Sequence, residues 1–176
     1  GFFCGVAGFY GTALEQGMQL SPKFEDQISD DYIDTIEVAA TLCDIGNIGI
    51  STDLLRKEDG FTQEEKDILH CHTQIGAKLL SDLHVNNDYN DYLSISIDIS
   101  HYHHENWDGS GYPEGLKGDQ IPVAAQIVSI MGRYCILTGE KKQSREDALA
   151  AMEKDSGVKY NPAIYDICCR ISRQLC

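Results

Sequence analysis

The sequence predicts an all-α protein that folds as a single compact helical bundle. Apolar residues recur at three- and four-residue steps through most of the 176-residue chain, and no stretch alternates well enough between apolar and polar residues to predict a strand. With 42% hydrophobic residues, the chain is long enough for one substantial core but short for two domains. We therefore expect one domain over residues 1–176, cut from a longer chain.

Two segments early in the chain show strong helical patterns. In "DDYIDTIEVAATLCDIGNIGI", residues 30–50, apolar side chains follow one another at helical spacing after acidic residues that suit a helix N-terminus. We expect this helix to end at the glycines that begin with Gly46. In "FTQEEKDILHCHTQIGAKLLSDL", residues 61–83, Thr62 and Glu65 have the spacing of a capping box, and an apolar stripe follows them.

The second half of the chain combines further helices with one long loop. The pattern predicts a helix over residues 90–105, which runs into the histidines of "HYHHENWDGSGYP". The segment "WDGSGYPEGLKGDQIP", residues 107–122, contains four glycines and two prolines and cannot be helical. Two more helices are expected after Pro122 and after Ser144, and a last one near Pro162, a residue suited to a first helical turn.

Charge and composition exclude several classes of protein. A net charge of −14 repels a nucleic-acid backbone, so nucleic acid is not an expected ligand. The chain has no apolar run of about eighteen residues and no signal-peptide pattern, which predicts a cytoplasmic protein without a membrane span. Its seven cysteines form no CxxC pair, so we expect buried thiols rather than a disulfide framework.

Histidines and one aspartate form a candidate metal site. His103 and His104 are adjacent, and on a helix they would point about 100° apart, so both reach one site only if another helix supplies the rest. His72 and Asp44 lie on other predicted helices. Several imidazoles and one carboxylate that converge from different helices suit a divalent transition metal. Taken singly, each histidine is more often a surface or packed residue than a ligand.

Four motifs carry a resemblance to a known family over nearly the whole chain. In order and approximate spacing, "LCDIGNIGI", "HTQIGAKLL", "HHENWDGSGYPEGLKGDQIP" and "GVKYNP" resemble the HD-GYP family, a branch of the HD-superfamily phosphohydrolases. The resemblance implies an all-α bundle of the HD-domain type with a Gly-rich GYP loop. It also implies a site of two or three metals, often iron or manganese, that hydrolyses the bacterial messenger cyclic di-GMP. GGDEF-type domains are the protein partners that it suggests.

The chain departs from the family pattern at several functional positions. The His-Asp pair that names the family reads Cys43-Asp44, and the lysine expected three residues later is Asn47. An upstream metal-binding histidine aligns with Phe2, and a later metal-binding aspartate aligns with Gly132. The family's "RPYK" segment, which helps to hold substrate phosphates, is replaced by "TGEKKQS".

These losses fall mainly on one of the two metal positions that the resemblance implies. One position keeps only Asp44, whereas the neighbouring position keeps Asp44, His72, His103 and His104. We therefore expect at most one divalent transition metal ion, Fe, Mn or Zn, or none at all. A thiolate at Cys43 is an alternative ligand for the depleted position, because cysteine binds zinc well.

The glycine-rich loop allows two interpretations. As part of a substrate pocket, it would present Tyr112 to the ligand and Lys117 to a phosphate. As a structural element, it would pack Trp107 and Tyr112 against the bundle and hold the histidines in place. The histidines themselves could also be relics that hydrogen-bond to acids such as Glu105 or Asp108 and bind no metal.

The retained and altered positions favour two functions. The first is a degenerate HD-GYP domain in bacterial cyclic di-GMP signalling, with no catalytic residue assigned, whose lost or strongly reduced phosphodiesterase activity leaves a regulatory or protein-interaction module. The second is a metal-dependent cyclic di-GMP phosphodiesterase with an atypical mononuclear site, and hydrolysis of another phosphoester is a third reading. Because paired ions activate water and clamp phosphate oxygens, losing one ion and the lysine together should slow hydrolysis by several orders of magnitude.

Overall fold

A computed structural model describes residues 14–84 and 91–172 and contains no strand within them. The predicted all-α fold is thereby confirmed. The helices are α1 (residues 14–19), α2 (Asp30–Ala39), α3 (Thr52–Leu55), α4 (Gln63–His84), α5 (Asp91–Tyr102), α6 (Val123–Cys135), α7 (Arg145–Glu153) and α8 (Pro162–Ser172). Short 3-10 turns cover Ala40–Leu42, Ile45–Gly49 and Gly118–Gln120, and a π-helical turn covers Ile136–Glu140. The sequence did not predict α1 and α3, which are too short to show a periodic stripe.

Several helices begin where the sequence places a capping residue. Ser29 precedes α2, and its side chain accepts a hydrogen bond from the backbone N–H of Tyr32. The predicted capping box forms before α4, where Thr62 Oγ1 accepts from the Glu65 N–H and Glu65 Oε2 accepts from the Thr62 N–H. Ser144 caps α7 in the same way, by accepting a hydrogen bond from a backbone N–H of its first turn. Local sequence therefore fixes these three starts.

The helices pack around one hydrophobic core. Four fully buried isoleucines show its extent, because each comes from a different helix: Ile36 from α2, Ile99 from α5, Ile127 from α6 and Ile164 from α8. Full burial of such a side chain contributes roughly 1.5–3 kcal/mol to stability. Helix α5 lies centrally in this arrangement and contacts α2, α4 and α6. Helix α5, which leads into the metal-site histidines, is thereby held against three other helices.

The segment that carries Asp44 differs from the prediction. The helix expected to continue to Gly46 ends at Ala39, and Asp44 lies between two 3-10 turns with φ −99° and ψ 15°. The reason is a close approach to α4, since a Cβ added to Gly46 would lie only 1.8 Å from the carbonyl oxygen of His72. A regular helix of larger residues would not fit there, and the turn brings the Asp44 carboxylate beside α4.

The predicted helix over residues 90–105 also ends earlier, at Tyr102, so that His103 and His104 lie in a turn. The chain reverses immediately afterwards. The carbonyl of His104 accepts the backbone N–H of Tyr112, and a Cβ added to Gly111 would lie 2.3 Å from the backbone nitrogen of Asn106. The returning loop therefore occupies the space and the carbonyl that a longer helix would need.

Candidate metal centre

Four side chains converge where the turn after α5 meets α4, and each offers one atom that can ligate a metal. They are Asp44, His72, His103 and His104, and their ligand atoms all lie within 4.8 Å of one another. His72 Nε2 is 3.5 Å from Asp44 Oδ1, and His103 Nε2 is 3.8 Å from the same oxygen. The fold thus brings together all four residues that the sequence predicts as ligands.

Backbone carbonyls orient two of the histidines. The Nδ1 atom of His72 lies 2.7 Å from the carbonyl oxygen of Leu69, and that of His103 lies 2.9 Å from the carbonyl oxygen of Ile99. Because a carbonyl oxygen only accepts hydrogen bonds, each Nδ1 carries the ring proton and donates it. The lone pair of each Nε2 then points towards the cluster, as in metal-binding histidines generally.

The same two Nε2 atoms are buried and accept no hydrogen bond from any residue in the described ranges. A buried polar atom without a partner costs free energy, and a coordinated cation would remove that cost. The three imidazole nitrogens and one carboxylate oxygen suit a borderline divalent ion such as Zn²⁺, Fe²⁺ or Mn²⁺. The residues present therefore fit a single metal ion.

Electrostatics keep the ligands in the protonation states that a metal requires. Hydrogen bonding to His103 is the largest of the causes that hold the pKa of Asp44 at about 2, against the cost of its partial burial. Neighbouring imidazoles that become protonated at low pH act in the same direction. Desolvation lowers the pKa of His72, and desolvation together with His103 lowers the pKa of His104 to about 3. At neutral pH this carboxylate is ionised and these imidazoles are neutral.

Cys43 does not belong to this cluster. Its side chain is only 2% exposed and packs in the hydrophobic core, and its carbonyl accepts a hydrogen bond from Ser100 Oγ. Burial, and then the negative charge of Asp44, raise the pKa of the thiol to about 12. The thiol is therefore protonated at neutral pH, which does not favour Cys43 as a substitute for the missing imidazole.

The other altered positions supply no ligand. Gly132 lies on α6 and has no side chain, and Asn47 lies in the second 3-10 turn, where it offers a neutral amide. Phe2 lies outside the described residues. Within the described ranges, the candidate centre is thus a single cluster of four ligands.

A buried carboxylate ties the glycine-rich loop to the histidines. Glu105 is 2% exposed, and its two oxygens accept hydrogen bonds from the backbone N–H groups of Glu114, Gly115 and Leu116 at 2.8–3.1 Å. Asp108 is also engaged locally, because it accepts the N–H of Ser110. Both acids therefore accept hydrogen bonds from the loop. The relic interpretation expected them to accept hydrogen bonds from the imidazoles instead.

Tyr112 lies between two histidine rings. Its ring stacks on His70 with centroids 3.7 Å apart and on His104 with centroids 4.8 Å apart, and both pairs are within 20° of parallel. Its hydroxyl pKa is raised by burial. This stacking supports the structural interpretation of the loop, and it gives His70 a packing role outside the four-residue cluster.

A polar cleft of about 390 Å³ opens beside His103 and His104. Tyr112 lines it, whereas Lys117, the predicted phosphate contact, is exposed and is not among the described lining residues. The wall includes the polar side chains of Asn106, Ser110, Ser129, Lys159 and Tyr160. The cleft provides room for a ligand at the edge of the candidate centre.

Sequence reasoning missed the place of Lys159 in this site and the contact through which His70 packs. Lys159 stands within the quoted "GVKYNP" motif, but nothing in its spacing revealed that the motif reaches the histidines. His70 precedes His72 by two residues and so points elsewhere on a regular helix, and only the returning loop explains its contact with Tyr112. The contacts of both residues depend on the path of the glycine-rich loop, and a loop path leaves no periodic pattern in the sequence.

Comparison of the sequence with models of protein families identifies the family of this chain. A family model described as "HD domain" matches residues 19–164. This chain belongs to the HD domain family. The four motifs that resemble the HD-GYP branch all lie within these matched residues. By the resemblance, Asp44 of the candidate centre aligns with the aspartate of the family's His-Asp pair and Cys43 with its histidine, and this alignment stays a prediction.

Relatives and solved structures agree with this assignment. The chain is 32% identical to a probable cyclic di-GMP phosphodiesterase of Vibrio cholerae over 162 residues. The aligned region covers 89% of this chain and 37% of that protein. It is also 32% identical over 152 residues to the cyclic di-GMP phosphodiesterase of Thermotoga maritima, covering 84% of this chain and 40% of that protein. It thus spans less than half the length of these curated relatives.

The fold resembles that of Bd1817, an HDG"Y"P protein from Bdellovibrio bacteriovorus, with a TM-score of 0.66 at 19% identity over 95% of this chain and 51% of that chain. The cyclic GMP-AMP-specific phosphodiesterase V-cGAP3 of V. cholerae gives a TM-score of 0.63 at 17% identity, over 93% of this chain and 43% of that chain. At such identities the likeness shows the fold alone. No helix in the described ranges has the length and apolar character needed to cross a bilayer.

Proposed function

We propose that this domain binds one divalent transition metal ion and a cyclic dinucleotide or related phosphoester, and that its phosphodiesterase activity is lost or strongly reduced. It then acts as a regulatory or protein-interaction module in cyclic di-GMP signalling. The observation that carries the proposal is that the candidate ligands surround one metal position and not the second. Three imidazoles and Asp44 face one metal position, while the residues aligned with the ligands of a second position include a buried thiol and a glycine.

The chemistry of phosphoester cleavage explains why this arrangement favours binding over turnover. A single bound ion would polarise a phosphoryl oxygen, whereas efficient hydrolysis also needs an activated water and a clamp on the leaving oxygen, which a second ion normally provides. Asn47 is neutral and cannot stabilise the developing negative charge as the family's lysine would. These losses act on the transition state and leave room for ground-state binding in the cleft.

One observation favours a second candidate function, a mononuclear cyclic di-GMP phosphodiesterase. The four-ligand cluster is intact, and it opens directly on a polar cleft through His103 and His104. Asp44 stays ionised and the pKa values of His72 and His104 are lowered, so the cluster suits a catalytic ion as well as a structural one. The regulatory role, in contrast, requires a protein partner, for which the resemblance suggests a GGDEF-type domain.

Metal content and turnover separate these functions. We expect elemental analysis to find at most one ion per chain, and cyclic di-GMP incubated with added Mn²⁺ or Fe²⁺ to remain uncleaved or nearly so. His103→Ala should lower the metal content, whereas His101→Ala, whose ring lies 3.5 Å from Glu114 outside the cluster, should not. Single-product hydrolysis that disappears in His103→Ala would instead establish the mononuclear enzyme. Two or more ions per chain would contradict the ligand count on which the proposal depends.

A further inference from the structure

The cleft beside the metal centre has a lysine in its wall that no family motif assigns to the substrate. Among the described lining residues, Lys159 alone carries a permanent positive charge. The whole chain has a net charge of −14, which repels an anionic ligand over most of the surface. A phosphoester that enters this cleft therefore meets local attraction chiefly at Lys159 and at a bound metal ion.

We propose that Lys159 binds a phosphodiester group of the ligand and so replaces the phosphate-binding residues that this chain lacks. The inference rests on the proposed function, because it concerns the same cleft. Asn47 stands at the position of the family's lysine, and "TGEKKQS" replaces the family's phosphate-binding segment. Lys159 supplies the kind of charge that both changes remove, from a different part of the chain.

The backbone of Lys159 is held firmly against the glycine-rich loop. Its carbonyl accepts the N–H of Trp107 at 3.1 Å, and the carbonyl of the preceding Val158 accepts the N–H of Asp108 at 2.9 Å. Its own N–H donates to the carbonyl of Asp155 at 2.7 Å. The backbone that carries Lys159 is therefore tied to the loop that follows the candidate ligands His103 and His104, and this restrains the position from which the lysine side chain extends.

The ammonium group remains available to a ligand. Its closest acidic partner is Asp155, with Nζ 3.5 Å from Oδ2, and the lysine side chain is 47% exposed. An ammonium has three N–H donors, and a contact of this length and exposure engages at most one of them weakly. Asp155 thus steadies the side chain without neutralising it for a ligand in the cleft.

Neutral polar groups in the same wall can complete the anion site. Asn106 and Ser110 lie together, with the Asn106 amide donating to Ser110 Oγ at 3.0 Å, and Ser129 adds a hydroxyl from α6. Hydroxyl and amide groups bind phosphate oxygens without adding charge. Lys117 lies outside this described wall, so Lys159 takes the role that the sequence predicted for Lys117.

Calorimetric titration of the Mn²⁺-loaded chain with cyclic di-GMP tests the inference. Lys159→Ala should weaken binding by roughly tenfold to a hundredfold, the usual effect of losing a hydrogen bond to a charged group. Lys159→Arg should restore most of the affinity, and Lys159→Ala should reduce the dependence of affinity on salt. Metal content should stay unchanged, which separates loss of a phosphate contact from collapse of the centre. The matched control is Lys154→Ala, an exposed lysine that lies outside the described wall of the cleft.

The outcomes distinguish this inference from the proposed function. Binding by Lys159→Ala as tight as that of the unaltered chain would overturn the role of Lys159 and leave the proposed function standing. Loss of affinity in Lys117→Ala but not in Lys159→Ala would likewise overturn it and return the role to Lys117. Failure of the unaltered, metal-loaded chain to bind cyclic di-GMP would contradict the proposed function, and this inference would fall with it.

Discussion

The ring of Tyr112 stacks on the ring of His104, with centroids 4.8 Å apart and planes 19° from parallel. His70 covers the opposite side of the same tyrosine, at 3.7 Å. The tyrosine of the Gly-Tyr-Pro loop is thus wedged between α4 and a candidate metal ligand. This contact makes the loop part of the support of the metal centre, because a ligand whose ring is held in place loses less freedom when it binds an ion.

Substitution at Tyr112 separates support from substrate recognition. Tyr112→Phe keeps the stacked ring and removes only the hydroxyl, so metal affinity should change little. Tyr112→Ala removes the ring, and the affinity should fall by roughly tenfold to a hundredfold, as is typical when an outer partner of a metal ligand is lost. Competition with a metal-sensitive chelating dye measures both constants. Equal losses in the two variants would show that the hydroxyl matters rather than the stack.

Glu105 offers a prediction about the loop itself. Glu105→Gln replaces one acceptor oxygen by an NH₂ group among three backbone N–H groups, so at least one of these donors loses its acceptor. We expect the free energy of unfolding to drop by about 1.5–3 kcal/mol, the range for a hydrogen bond to a charged group. Urea denaturation measures the change, and Glu114→Gln, at an exposed residue of the same loop, is the control. A loss no larger than that of the control would mean that the carboxylate does not anchor the loop.

Most of the helical architecture was predictable because it depends on local sequence. The capping box at Thr62 and Glu65 and the cap at Ser144 satisfy backbone donors within one turn, and α8 begins at Pro162 as its residue type indicates. The four ligands were also within reach, because the motifs that contain them carry a recognisable resemblance. Local sequence signals thus predicted the helical bundle, and the family resemblance predicted the four clustered residues.

Contacts between distant segments could not be predicted in this way. The break before Asp44 depends on the approach of Gly46 to the carbonyl of His72, 26 positions further along the chain. The end of α5 at Tyr102 similarly depends on the returning loop around Gly111. Periodicity describes only one helix at a time, so it extended both helices past the points where tertiary contacts end them.

Restoring the lost ligands should rebuild the second metal position. Gly132 follows Ser129 by three residues on α6, so both lie on similar faces, and Ser129 lines the cleft. We expect Cys43→His combined with Gly132→Asp to raise the metal content towards two ions per chain, as measured by elemental analysis. As the control, Gly132→Asn matches the size of the aspartate without its charge, and combined with Cys43→Ser it should leave at most one ion. Full recovery should also need Phe2→His, and a triple variant that still binds no more than one ion would contradict the prediction and indicate that the pocket has closed.

A buried acid outside the candidate metal centre predicts how stability depends on pH. Glu15 in α1 is 1% exposed, and its Oε2 atom has no hydrogen-bond partner among residues 14–84 and 91–172. Burial, and then the negative charges of Glu37 and Asp34 on α2, raise the pKa of its carboxyl from 4.5 to about 8. The folded chain therefore holds this proton over a pH range in which the unfolded chain releases it.

The sign of the effect follows from that difference. The contribution of protonated Glu15 is fully present below about pH 4.5 and is lost as the pH rises to about 8, by at most roughly 1.4 kcal/mol per pH unit. Glu15→Gln removes the ionisable group and keeps its size, so its advantage in unfolding free energy should be larger at pH 8 than at pH 5. Urea denaturation at both pH values measures the difference, with the exposed Glu25→Gln as control. An advantage that is equal at the two pH values would mean that the Glu15 carboxyl ionises alike in the folded and unfolded chains.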